Sequence, residues 1–244
     1  MLKEKTSKVE KGSISYFTGG SGRPLIHLHG AEGVRPNAGL EALAKNLTLY
    51  MPVLPGFDGT SEIDGIDSME TLADLVADFI DKEFGEAVDV LGRSFGGCLA
   101  AWLAVRHPSK VGQLCLENPE GFHHPDRPPP ETKSEDILAK NHSMPSHYQG
   151  NSSFDADLAA QLSKIECLTL IMHGTRDGHV PEEAVQLLKR EIPRSYLIYV
   201  YDAAHNLETD QPARFAHLVS DFMERAEAFL VNQGPAGDRP QQVL

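Results

Sequence analysis

Cysteine is scarce in this chain: Cys98, Cys115 and Cys167 are the only 3, and no C-x-x-C pair occurs. An odd count without that spacing argues against a disulfide framework or a cysteine-rich zinc site and fits reduced thiols. Basic residues are also outnumbered. The 22 Lys and Arg face 35 Asp and Glu, a formal net charge of −13, and so acidic a surface repels nucleic acid and anionic lipid. No apolar run approaches the roughly 18 residues that suggest a membrane span. The opening Met1-Leu2-Lys3-Glu4-Lys5 runs into polar residues without the apolar core of a secretory signal. Internal repeats are missing as well. These absences lead to the expectation of a cytoplasmic protein whose partner is a small molecule, with neither nucleic acid nor membrane involved.

What is present is ordinary globular composition, 41% hydrophobic and 23% charged over 244 residues, enough to bury a sizeable core. Short apolar runs alternate with longer helical patterns. Ser13 to Phe17, Pro24 to Leu28, Leu47 to Leu54, Ala87 to Leu91, Val111 to Leu116, Leu168 to Met172 and Ser195 to Tyr201 have strand character. Between them, Gly39 to Leu47, Met69 to Phe84, Phe95 to Arg106, Glu182 to Arg190 and Pro212 to about Leu230 have helical spacing. Such alternation implies βαβ units, hence an α/β fold with a mostly parallel central sheet and helices on both faces.

One stretch breaks the rhythm. Residues 122–164 contain His123-His124-Pro125 and Pro128-Pro129-Pro130 with only weak helical pieces; so long an irregular segment inside a compact domain is commonly a functional lid. The expected organisation is a core of residues 1–121 and 165–231, a lid or cap insertion at 122–164, and a disordered tail at 232–244.

The chemistry enters at Gly92-Arg93-Ser94-Phe95-Gly96, a G-x-S-x-G string. A strand ends at Leu91 and a helix begins at Phe95, so Ser94 must sit on a tight strand-to-helix turn. Glycine two residues to either side suits a turn whose strained backbone leaves no room for a Cβ. The turn lifts the hydroxyl above the sheet edge, over a helix N-terminus that favours developing negative charge.

These residues, with His29-Gly30 after one strand, Pro55-Gly56-Phe57 and Gly59 after the next, and His205 near the end, resemble the α/β-hydrolase family in order and spacing from about Ser13 to Leu230. The resemblance implies a serine nucleophile at Ser94 and a histidine base at His205, which lies in a loop between the last strand and the last helix. It implies an acid at Asp177, whose loop Gly174-Thr175-Arg176-Asp177-Gly178-His179-Val180-Pro181 resembles the family's acid loop. Glu117, ending the strand after the elbow helix, is the alternative acid, because some family members carry theirs there. Asp202 is read as a turn residue. Oxyanion stabilisation is expected from the backbone N–H groups of Phe95 and Ala31. Glu32 and Arg93 are candidates for the substrate pocket, and His29 is read as stabilising its own turn. Nothing in the pattern calls for a metal or an organic cofactor.

The expected activity is hydrolysis of a small carboxylic ester or related acyl compound through an acyl-enzyme. A serine elbow argues against the aspartate-nucleophile branches of the family. Two other readings stay open: hydrolysis of a carbon–carbon bond in a ring-fission product, and a non-catalytic protein that keeps the fold to bind a ligand.

Overall fold

The computed structural model describes residues 2–123 and 154–229. Most of the expected lid at 122–164, including His124, and all of the 232–244 tail lie outside the described residues.

Eight strands form one sheet: β1 (Lys3–Val9), β2 (Gly12–Gly20), β3 (Arg23–Leu28), β4 (Leu47–Pro52), β5 (Val88–Arg93), β6 (Val111–Glu117), β7 (Leu168–Gly174) and β8 (Ser195–Val200), in the order β1-β2-β4-β3-β5-β6-β7-β8. β2 runs antiparallel to β1 and β4. From β4 across to β8 every pairing is parallel, with Leu25 beside Asp89, Gly92 beside Leu116 and Leu170 beside Tyr196. Every residue of β5 and of β7 is buried, so both faces of the central sheet are covered, as a parallel sheet requires.

β1 has no counterpart in the sequence reading. Its Lys3-Glu4-Lys5-Thr6 face is exposed at the sheet edge, and an edge strand needs little apolar patterning because charge there discourages pairing with other chains.

The crossovers are helices: α1 (Ala38–Leu43), α2 (Met69–Glu83), α3 (Phe95–Arg106), α4 (Ala156–Ala159), α5 (Glu182–Glu191), α6 (Leu207–Asp210) and α7 (Pro212–Arg225). Ser68 and Thr71 form a capping box that starts α2, each satisfying a backbone donor the first turn leaves over. The last helix ends earlier than its apolar spacing suggests, at Arg225. Ala226 takes a positive φ of 47° and the chain continues as a single 3₁₀ turn, Ala226–Ala228. The far end of the expected insertion is anchored to the body: Leu158 and Leu162 are fully buried in the common core, and the Trp102 indole N–H donates to Asp155 at 2.8 Å. No helix among the described residues is long and apolar enough to cross a membrane.

Because β3 and β5 to β8 are parallel, the loops that leave their carboxyl ends gather at one edge of the sheet. Those loops carry His29 to Gly33, Ser94, Asn118 to Gly121, Thr175 to Pro181 and Tyr201 to Asn206.

Candidate active site

Ser94 sits at φ 53°, ψ −117° between β5 and α3, a conformation that costs a non-glycine residue energy and persists only when its surroundings impose it. Those surroundings are backbone. A Cβ on Gly96 would lie 2.1 Å from the Leu28 carbonyl oxygen and 2.6 Å from that of His29, and one on Gly92 would lie 2.2 Å from the Gly96 oxygen. The elbow is thereby pressed against the end of β3. The Ser94 N–H donates to the Glu117 carbonyl at 2.9 Å, and the Ser94 carbonyl accepts from Gly97, Cys98 and Glu120.

The structure brings Ser94, His205 and Asp177 into one line. His205 Nε2 lies 2.9 Å from Ser94 Oγ, and His205 Nδ1–H donates to Asp177 Oδ2 at 3.0 Å. The Asp177 side chain is fully enclosed, and its other oxygen accepts the N–H groups of His179 at 2.7 Å and Val180 at 3.1 Å. Burial pushes the Asp177 carboxyl upward. The His205 hydrogen bond and charge and the two backbone donors outweigh it and hold the carboxyl below its ordinary range.

Glu117 is brought elsewhere. Fully buried, it accepts the Leu207 N–H at 2.7 Å and ties down the backbone just after His205. Burial and the neighbouring Glu208 raise its carboxyl well above the usual range, against the pull of Arg93 and the Leu207 and Glu208 N–H groups. Glu208 is ionised in exchange: burial is outweighed by His27, 2.6 Å away, by Arg93 and by Asn37, which donates at 2.6 Å. Arg93 is buried, its Nε 3.9 Å from Glu208, and it forms an ion pair with Glu32 beside Gly30. The two candidate pocket residues thus engage each other. Asp202, at φ 59°, is a turn residue paired with Arg176.

His29 closes the loop after β3. Its Nδ1–H donates to the Gly30 carbonyl at 2.7 Å and its Nε2 accepts the Leu54 N–H at 3.2 Å. Burial lowers its pKa to about 4, so the ring is neutral. Ala31 follows on this loop, whose turn is closed by the Gly33 N–H on the Gly30 carbonyl at 3.0 Å, and Phe95 opens α3.

Two residues escaped the sequence reading. Asn118, at φ 40°, accepts the Gly174 N–H at 3.1 Å and donates to the carbonyls of Ala204 at 3.2 Å and His205 at 2.9 Å. It thereby fixes the loops that carry Asp177 and His205 to the end of β6. Glu120 places Oε1 2.8 Å from Ser94 Oγ and accepts His179 Nε2–H at 2.6 Å. Burial favours a protonated Glu120, but the His179 hydrogen bond and charge, His205 and the Ser94 hydroxyl lower its pKa; the same hydrogen bond raises that of His179 despite burial. The available signal was the run Glu117-Asn118-Pro119-Glu120, which places a second carboxylate at the edge where Ser94 emerges.

The Ser94 hydroxyl has one proton and two acceptors at nearly equal distance. The lowered pKa keeps Glu120 ionised, so it stands beside His205 as a second acceptor for the Ser94 hydroxyl. A depression of about 500 Å³ lined by Leu2, Pro36, Asn37, Leu40 and Leu49 includes none of these groups.

A family model described as alpha/beta hydrolase fold matches residues 23–144. The 2-hydroxymuconate semialdehyde hydrolase of Pseudomonas putida is 28% identical over 253 residues, 86% of this chain and 90% of that protein. A pimeloyl-[acyl-carrier protein] methyl ester esterase of Neisseria meningitidis is 29% identical over 198 residues, 64% of this chain and 75% of its own. Among solved structures, the meta-cleavage product hydrolase from Pseudomonas fluorescens shares the fold with a TM-score of 0.72 at 22% identity, covering 91% of this chain and 98% of that one.

Proposed function

This chain belongs to the alpha/beta hydrolase fold family, and on that footing we propose that it is a serine hydrolase of a small carboxylic ester or related acyl compound, working through an acyl-enzyme on Ser94. The observation that carries this reading is the line from Asp177 through His205 to Ser94, with separations of 3.0 and 2.9 Å. In the first half-reaction Ser94 Oγ attacks the acyl carbon while its proton passes to His205 Nε2. Asp177 holds the ring in the Nδ1–H tautomer and stabilises the imidazolium. The oxyanion is received by the N–H groups of Ala31 and Phe95. His205 returns the proton to the leaving oxygen, then takes one from the water that cleaves the acyl-enzyme.

Asn118 and Glu117 are positioning residues in this scheme, since each fixes backbone on one side of His205. The Arg93–Glu32 pair holds the loop that carries Ala31. Neither needs to touch substrate.

A second reading has specific support. The relatives aligned over nearly the whole chain include 2-hydroxymuconate semialdehyde hydrolases, which favours carbon–carbon cleavage of a ring-fission product by the same three residues. A panel of p-nitrophenyl esters, lactones and a vinylogous diketone acid separates the two. Turnover of short esters that disappears in Ser94→Ala supports the ester reading. Turnover confined to the diketone acid transfers the assignment, and turnover unaffected by Ser94→Ala refutes both.

A further inference from the structure

Over the same serine lies a second constellation. One donor atom each from Glu120, His179 and His205 lies within 4.8 Å of the others. His179 Nε2 is 2.6 Å from Glu120 Oε1, and Ser94 Oγ is 2.8 Å from that oxygen and 2.9 Å from His205 Nε2. The rings of His179 and His205 stand at 72° with centroids 4.6 Å apart. A further imidazole, His123, has its centroid 6.4 Å from that of His179. His123 is only 5% exposed, and neither of its nitrogens, nor Nδ1 of His179, has a hydrogen-bond partner among the described residues.

A hydrogen bond between Glu120 and His179 accounts for that pair alone. It leaves Nδ1 of His179 and, among the described residues, both nitrogens of the neighbouring His123 ring without a partner, and each unpaired buried polar atom is costly. Two imidazole nitrogens and one carboxylate oxygen are the donor set of a borderline divalent ion, bound at about 2.0–2.2 Å. A tetrahedral shell of that radius spaces its ligand atoms about 3.3 Å apart, which these atoms reach with shifts of under about 1 Å each. The outer shell is in place too. His205 Nδ1–H already donates to the Asp177 carboxylate at 3.0 Å, the carboxylate–histidine–metal arrangement that fixes the tautomer leaving Nε2 free to ligate.

We propose that Glu120, His179 and His205 bind a divalent ion of the zinc class, with water completing the shell, and that the ion switches the hydrolase off. It takes the place of the Nε2 proton between His179 and Glu120, releasing that proton to solvent, and it occupies the His205 lone pair that Ser94 requires. The inhibitory half rests on the reading of His205 as base; the binding half does not.

The test is a zinc titration of the full chain in non-chelating buffer, read by calorimetry and by competition with a chromogenic chelator. Ser94→Ala, Glu120→Gln and His179→Ala are measured in parallel, with melting curves to check that each is folded. One equivalent should bind native protein and Ser94→Ala with similar affinity, and loss of one ligand should weaken binding about 100-fold in the other two. Zinc should abolish ester turnover by native protein, and EDTA should restore it. No binding by native protein, or undiminished affinity in both ligand variants, overturns the site. Full turnover with the ion bound overturns the inhibition. A native protein that binds zinc yet turns over nothing before its addition counts against the hydrolase reading and leaves the metal site standing.

Discussion

Replacing Asp177 by Asn is the substitution whose consequence the geometry defines most closely. Asp177 Oδ1 accepts two backbone N–H groups and Oδ2 faces His205 Nδ1. An Asn side chain keeps the first role with its oxygen, which turns its NH₂ toward His205. That group donates where a carboxylate accepts, so the imidazole must carry its proton on Nε2 and can no longer take one from Ser94. Loss of the correct tautomer in a Ser-His-Asp triad lowers kcat about 10⁴-fold, equivalent to about 5 kcal/mol of barrier. The turn itself survives, so the melting temperature should change little. Glu117→Gln is the paired control: the amide oxygen still accepts the Leu207 N–H, and the group it replaces is held protonated, so kcat should stay within about 10-fold of native. Steady-state hydrolysis of a p-nitrophenyl ester by both variants settles the matter. A Glu117→Gln loss as large as that of Asp177→Asn, or an Asp177→Asn enzyme within about 10-fold of native, refutes the reasoning.

Two further outcomes follow from buried charge. His29 titrates at about 4 when folded against 6.5 otherwise, so the unfolded chain binds more protons between those values; the stability this neutral ring confers is complete above pH 6.5 and lost as pH falls toward 4, by about 3 kcal/mol in all. Urea unfolding at pH 7 and pH 5 should show native protein losing more stability than His29→Gln; equal losses would contradict it. Glu120 holds a negative charge beside Ser94; unpaired, at about 8 Å and an effective dielectric of about 20, it would disfavour an anionic acyl group by about 2 kcal/mol, and its pairing with His179 makes that an upper limit. Glu120→Gln should therefore raise kcat/KM for a p-nitrophenyl succinate monoester relative to the butyrate by up to roughly 30-fold, and an unchanged ratio would remove Glu120 from substrate selection.

The parallel sheet and the Ser94 elbow were legible because they depend on local patterns: apolar runs for β5 and β7, glycines flanking a serine, and a Val-Pro helix start after the Asp177 loop. β1 escaped because an exposed edge strand is defined by its neighbour rather than by its own hydrophobicity. Glu120 and Asn118 escaped for a related reason. Their partners, His179 and the backbone of His205, lie 59 and 87 residues away, and only the folded sheet edge brings them together. Arg93 and Glu32 show the reverse limit, since each is charged and close to the elbow in sequence or space, yet they pair with each other. Proximity to a motif identifies neighbours and does not say what they face.

The most direct test of the central assignment is covalent labelling with a fluorophosphonate probe followed by intact-mass measurement. The account predicts one adduct per native chain, located at Ser94 on digestion, absent from Ser94→Ala and strongly slowed in His205→Ala. No labelling of the native protein, or equal labelling of Ser94→Ala, would contradict it.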